Sequence, residues 1–185
     1  PGVARVDVLR STTVQSRQGP INLAATQNPD IGQERRFINL EGDPETVWER
    51  LQGEDTALLS EPLAYRLGVS QPGEAIELNT AAGWRSFRVI GIYYDYASSE
   101  GTALIALTRY RELWHDDAVT AVGLRLQAGQ DAEVVTRSLQ DGLDDGQTLL
   151  IRANGTLRRD VMMVFDRTFA ITIALRFMAT IVAFI

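Results

Sequence analysis

The chain has 185 residues, 18 basic against 24 acidic, giving a formal net charge of −6 and a sequence pI of about 4.8; an acidic chain of this kind is not expected to bind nucleic acid, which needs clustered cationic side chains. Its 45% apolar and 23% charged content belongs to a folded domain rather than a disordered segment. The absence of cysteine removes disulfides, thiol catalysis and cysteine zinc sites, and because every basic residue is arginine there is no lysine for a Schiff base or a phosphate-binding loop.

Val3–Val14 (VARVDVLRSTTV) alternates imperfectly and is rich in β-branched residues, which predicts a strand with one covered face. A turn cluster over Ser16–Pro20 leads to a short strand at Ile21–Thr26, a polar loop from Gln27 to Arg36 and a small apolar patch at Phe37–Leu40. Asp43 as cap, Pro44 in the first turn, and Val47, Trp48 and Leu51 on one face predict a helix through Leu51. Thr56–Leu59 reads as a short apolar strand. Ser60, Glu61 and Pro62 repeat the cap-and-proline start, and the helix that follows carries Leu63, Ala64 and Leu67 inward before closing at Gly68, a residue suited to a left-handed C-cap.

Pro72 and Gly73 turn the chain into a strand at Ala75–Asn79, and Ala82 and Gly83 turn it into a longer one at Trp84–Tyr94, together a hairpin. Gly91 inside the second strand signals a bulge or a close backbone approach. Beyond the polar loop Ala97–Gly101, Ala103–Leu107 is a third strand, and Thr108 is expected to cap a helix to Trp114. Val119–Leu126 alternates at Val122, Leu124 and Leu126, and Gly129 breaks it. Asp131 then caps a helix through Leu143 with Val134, Val135 and Leu139 on one side, and Gln147–Arg152 is expected as a closing strand. Because this order echoes the elements before Leu51, the expected fold class is α+β: a split α+β unit of residues 1–52 and 118–153, with an inserted β-rich unit of 53–117.

From Phe169 to Ile185 the sequence runs FAITIALRFMATIVAFI, apolar except for Arg176, with Thr168, Thr172, Arg176 and Thr180 forming one narrow polar stripe at helical spacing. A soluble amphipathic helix has the reverse proportions, so residues 169–185 are read as the start of a truncated transmembrane helix, with a buried core helix as the alternative. Pro1, without a preceding methionine, likewise suggests a segment of a longer polypeptide. An arginine near mid-span costs at least about 2.5 kcal/mol, so Arg176 is expected to meet a neighbouring helix or to snorkel toward the outer interface. The net negative charge gives no attraction to anionic headgroups, which leaves the tail as the route to the membrane.

Little in the chain points to chemistry. The single histidine, His115, stands between Trp114 and Asp116 as a solvated helix end; no serine lies in a G-x-S-x-G context; neither G-x-G-x-x-G nor a Walker A pattern occurs. Asp144 and Asp145 sit among glycines in a turn. The run Tyr93, Tyr94, Asp95, Tyr96 suits a sugar or an aromatic ligand, or more simply a strand end with one buried ring and exposed neighbours. No catalytic, cofactor or metal residues are expected.

The stretch SEPLAYRLGVSQPGEAIELNTAAGWRSFRVIGIYYDY resembles the extracytoplasmic domain of FtsX-like ABC-transporter permeases, the class that includes the MacB and lipoprotein-export permeases. The resemblance lies in Leu67-Gly68-Val69, the turn at Pro72 and Gly73, the turn at Gly83, and a strand ending in Val89, Gly91 and Ile92. VFDRTFAITIALRFMATIVAFI is similar to the family's re-entry into the membrane, and residues 15–45 match only loosely. The resemblance implies a porter-like part and a β-rich part, a cytoplasmic ABC ATPase as partner, a second permease copy or an extracytoplasmic partner protein, and location at the inner membrane with this segment outside. It further implies that residues 154–168 form a coupling segment, with Arg158, Arg159, Asp166, Arg167 and Arg176 making polar contacts there or in the membrane helix. The alternative is a membrane-anchored sensor or ligand-binding domain.

Overall fold

A computed structural model describes residues 2–142 together with 150, 151, 176 and 180. Its contacts divide into two units, Val3–Arg125 on the one hand and Pro1–Gly2 with Leu126–Ile185 on the other. The first unit holds eight strands and four helices: β1 Val3–Ser16, β2 Gly19–Thr26, α1 Ile31–Glu34, β3 Phe37–Leu40, α2 Val47–Gly53, β4 Thr56–Ser60, α3 Glu61–Leu67, β5 Ala75–Thr80, β6 Gly83–Tyr93, β7 Thr102–Ala106, α4 Leu107–Trp114 and β8, which begins at Ala121 and runs to Leu126.

Two hairpins are built on one turn. In β1–β2, Ser16 pairs with Gly19; the Ser16 hydroxyl donates to the Gly19 carbonyl at 2.7 Å and accepts from the Gln18 amide at 3.2 Å. In β5–β6, Thr80 pairs with Gly83; the Thr80 hydroxyl donates to the Gly83 carbonyl at 2.8 Å and accepts from the Ala82 amide at 3.3 Å. Gly19 and Gly83 have φ of 112° and 104°, a conformation that other residues adopt only with strain. A hydroxyl, two arbitrary residues and a glycine therefore set both registers.

The strands β2, β7, β4, β6, β5 and β1 are hydrogen-bonded in that order, and the second half of β1 also pairs with β2 through Leu9–Ser16, so six strands close into a ring. Closure leaves those strands without an open edge. β3 pairs with the end of β6, and β8 lies beside β1, where the Thr120 amide donates to the Leu9 carbonyl at 2.9 Å. The expected boundary at 52/53 is thus crossed by hydrogen bonds: β2 runs parallel to β7 from Asn22–Thr102 to Thr26–Ala106, and β1 meets β5 at Ser16–Leu78. Contacts divide at Arg125/Leu126. Pairing between strands some 80 residues apart leaves no trace in local periodicity.

Apolar side chains fill two cores. Val14, Leu23, Ala57, Leu59, Leu78, Phe87, Val89 and Ile105 belong to one, closed by Leu63 of α3 and by Leu107 and Tyr110 of α4. Ile31, Val47, Leu51, Leu58, Ile90, Tyr93 and Leu104 form the other beneath α1 and α2, with Phe37, Leu40 and Trp48 at its margin. All five residues of β4 are buried; Ala57 and Leu59 enter one core and Leu58 the other, which accounts for the apolar run at the centre of the strand. Gly91 is both a bulge and a close approach: Ala57 pairs with Val89 but Leu58 with Gly91, and a β-carbon there would stand 2.9 Å from Leu40 and 3.0 Å from Leu58. Gly68 closes α3 at φ 71°.

Three expected caps are corrected. Asp43 makes no side-chain cap; Pro44–Thr46 is a 3-10 turn in which the Thr46 hydroxyl and amide both donate to the Asp43 carbonyl. Ser60 precedes α3, but its hydroxyl accepts from the Thr102 amide of β7 at 2.8 Å, because the site is buried against that strand. Thr108 lies inside α4, which starts at Leu107 because Leu107 is drawn fully into the core; the Thr108 hydroxyl donates to Gln52 at 3.2 Å. The loop expected at Gln27–Arg36 contains the short α1, and the apolar patch at Phe37–Leu40 is β3.

In the second unit the Glu133 amide donates to Asp131 at 2.8 Å, capping α5, Ala132–Asp141, as the sequence predicts. Leu143 lies outside the described residues, as does the expected strand Gln147–Arg152 apart from Leu150 and Ile151, which are in neither helix nor strand. The coupling segment 154–168 lies outside them, and so does the membrane-helix start 169–185 except for positions 176 and 180. No helix among the described residues is long and apolar enough to cross a membrane.

Candidate functional surface

The first half of β1 and all of β8 carry the chain into and out of the Val3–Arg125 unit, and both depend on polar contacts. Every residue of β8 up to Arg125 is exposed, so burial contributes little to holding it. Strand alternation puts Arg5 and Asp7 on one side of β1, where they meet Asn28, Asp30 and Glu34 around α1 and Arg125 from β8. Arg5 donates to Asp30 at 2.7 Å, to Asp7 at 3.1 Å and to Asn28 at 3.2 Å, while Asn28 donates to Glu34 at 2.7 Å. Arg125 reaches Asp7 at 3.3 Å and also pairs with Glu34. Arg5 Nε stands 2.8 Å from Asp7 Oδ1 but off the line of a hydrogen bond, so that contact is an ion pair only. Bonds first to Asp7 and then to Asp30 raise the pKa of Arg5. Three carboxylates and two guanidinium groups thus tie the two strands to each other and to α1.

A second tie lies further along β1. Arg10 donates from Nε to Asp116 at 2.9 Å, and Asp116 also accepts from the Tyr110 hydroxyl at 2.7 Å and the Ala118 amide at 2.9 Å. Tyr110 leads these causes in holding the Asp116 carboxyl at about 2. The connection between α4 and β8 is thereby fastened to β1. These seven residues, Arg5, Asp7, Asp30, Glu34, Arg10, Asp116 and Arg125, were not singled out in the sequence; apart from the two-residue spacing of Arg5 and Asp7, no local signal marks them.

His115 ends α4 in the left-handed region at φ 54°, its amide donating to the Arg111 carbonyl at 3.0 Å. Tyr93 is buried, which pushes its hydroxyl up to about 12, whereas Tyr94 and Tyr96 are exposed, the simple form of the expectation for that run. Arg158, Arg159, Asp166, Arg167, Asp144 and Asp145 lie outside the described residues. Arg176 is helical and exposed, and its carbonyl accepts from the Thr180 hydroxyl at 2.8 Å, the back-bond by which a helical threonine satisfies itself.

Residues 1–141 match the MacB-like periplasmic core domain. The chain belongs to this family. It is therefore an extracytoplasmic domain of an ABC transporter permease, in a family without catalysis of its own. The MacB-like domain is 33% identical over 165 residues to the uncharacterized ABC transporter permease protein Rv0987 of Mycobacterium tuberculosis, covering 89% of this chain and 19% of that protein. The chain thus spans about a fifth of the curated relative it matches. In fold alone it is similar to the extracellular domain of the ABC-type transporter YknZ from Gram-positive bacteria, with a TM-score of 0.56, 13% identity and 76% of each chain covered. It is likewise similar to the periplasmic region of MacB from Actinobacillus actinomycetemcomitans, with a TM-score of 0.55, 14% identity, and 76% of this chain and 65% of that one covered.

Proposed function

We propose that this domain couples ATP hydrolysis by a cytoplasmic ABC ATPase to work on a lipoprotein, lipid, peptide or partner protein outside the inner membrane, without chemistry of its own. The observation that carries the reading is the pair of ties on β1. A strand of 14 residues enters as β1, is fastened to β8 through Arg5, Asp7 and Arg125, and continues into the closed ring. A pull or push on either strand is shared with the other and reaches the ring as a whole, because a closed, densely packed ring resists deformation.

On this reading residues 154–168, with Arg158, Arg159, Asp166 and Arg167, link the domain to a membrane helix begun by 169–185, and Arg176 meets a neighbouring helix. A second permease copy or an extracytoplasmic protein completes the assembly. In this reading the porter-like part is residues 1–52 with 118–153 and the β-rich part is residues 53–117. The test is purification of the full-length permease from its own membranes. An ATPase with a Walker A motif should co-purify, and its turnover should change when residues 1–142 are deleted. Absence of that subunit, or turnover indifferent to the deletion, overturns the proposal.

A further inference from the structure

The most exposed aromatic rings of the Val3–Arg125 unit are gathered beside one carboxylate. Tyr65 on α3 is 89% exposed and Tyr96, after β6, is 68% exposed. The Tyr96 hydroxyl donates to Glu61, the first residue of α3, and this bond is the main cause of a raised Tyr96 pKa. Tyr65 follows Glu61 by one helical turn and so stands on the same side of α3. The Tyr94 ring lies 6.4 Å from that of Tyr96, tilted by 47°. Arg36 already occupies part of Tyr94, its guanidinium carbon 5.5 Å from the ring centroid.

Two of the guanidinium groups around this patch are paired, whereas Arg36, on the Tyr94 ring, and Glu61 are in no ion pair among the described residues. Arg66 pairs with Glu100, and Arg35 reaches Asp95 at 3.9 Å. The only side-chain bond of Glu61 among the described residues is the one from Tyr96. A carboxylate beside exposed rings attracts a cation twice over, through its own charge and through the negative face of a ring that the cation also reaches. A guanidinium fits this best, since it stacks flat on a ring and presents paired donors to a carboxylate. The chain itself makes the same stacked contact in Arg17 over Trp84, at 3.9 Å.

We propose that Glu61, Tyr65, Tyr94 and Tyr96 form a docking site for an arginine on a basic segment of an extracytoplasmic partner protein. The rings lie open on the surface and do not enclose a cage, which favours an anchor within a broader protein contact over a small quaternary ammonium. A domain of net charge −6 complements a basic partner. The inference rests on the reading of this domain as one that works outside the membrane, and it names the surface used.

The test is titration of the 185-residue chain with the peptide acetyl-Gly-Arg-Arg-Gly-amide, followed by amide NMR shifts. Tetramethylammonium chloride and phosphatidylcholine vesicles serve as comparison arms. Saturable shifts should gather at Glu61, Tyr65 and 94–97; the lysine version of the peptide should bind more weakly, and Glu61→Gln and Tyr65→Ala should each weaken arginine-peptide binding roughly fivefold with an unchanged melting transition. Shifts matched by equal ionic strength of sodium chloride, tighter binding of tetramethylammonium or vesicles, or unchanged affinity in both variants would overturn the site. No ATPase enters the assay, so its failure leaves the permease reading standing, and peptide binding by a permease that lacks an ATPase partner would remove that reading alone.

Discussion

Gly91→Ala tests how tightly the core beneath α1 and α2 packs against β6. The new methyl would stand 2.9 Å from Leu40 Cδ1, 3.0 Å from Leu58 Cδ2 and 3.3 Å from Phe37 Cδ1. Carbon contacts settle at about 3.5–4.0 Å, so the nearest two side chains must retreat by about half an ångström or more. Such overpacking costs about 1–3 kcal/mol, and the loss of glycine's freedom in the unfolded chain returns about 0.4–1 kcal/mol. The expected net loss is about 1–2 kcal/mol. With a urea dependence of about 1.5 kcal/mol per molar, the midpoint should fall by about 1 M at constant slope.

Trp48, packed at the margin of the same core, supplies the fluorescence signal. Leu40→Ala removes the group nearest the new methyl. Leu40 is only half-buried, so this change alone should cost about 1–2 kcal/mol, below the full range for a buried leucine. The double variant should then be more stable than the sum of the single losses predicts by about 1 kcal/mol. Strict additivity, or a Gly91→Ala midpoint equal to that of the parent, would refute the packing argument.

Two further outcomes are expected. The Asp116 carboxyl, at about 2 when folded and near 4 when unfolded, contributes stability that is fully present above pH ~4 and lost as pH falls toward about 2. The stability gap between the parent and Asp116→Asn, measured by urea melts from pH 5 to pH 2, should therefore close on acidification; a constant gap would count against the Tyr110–Asp116–Arg10 tie. Deleting residues 169–185 should leave a cooperative melt, because the buried apolar side chains described all lie between Val14 and Tyr110. Loss of the transition would make that segment part of the core.

The parts legible in the sequence are those fixed over a few residues. The glycine at the end of α3, the hairpin after Thr80 and the double role of Gly91 follow from turn chemistry and from the steric demands of a strand. Ring closure was not legible, because it depends on β2 finding β7 and on one long strand, β1, pairing with β2 and β5 as well as β8. The ties were hidden for the same reason: Arg10 and Asp116 are separated by 106 positions, and Arg125 and Asp7 by 118. β8, apolar in sequence except for Arg125 yet exposed, gives no hint from its own composition that side-chain charge helps to fasten it. Thr108 misled because a favourable capping residue stood one turn position beyond the start that burial of Leu107 imposed.

On the proposed function the domain moves when ATP is turned over inside the cell. Ser86→Cys, an exposed position on β6 of a stretch without cysteine, places one spin label in this domain once any cysteines elsewhere in the permease are replaced. In the full-length permease assembled with the proposed ATPase and second permease copy, the distance from this label to one on the second copy should differ between the nucleotide-free state and the state trapped with ATP. Identical distance distributions in the two states would contradict the account.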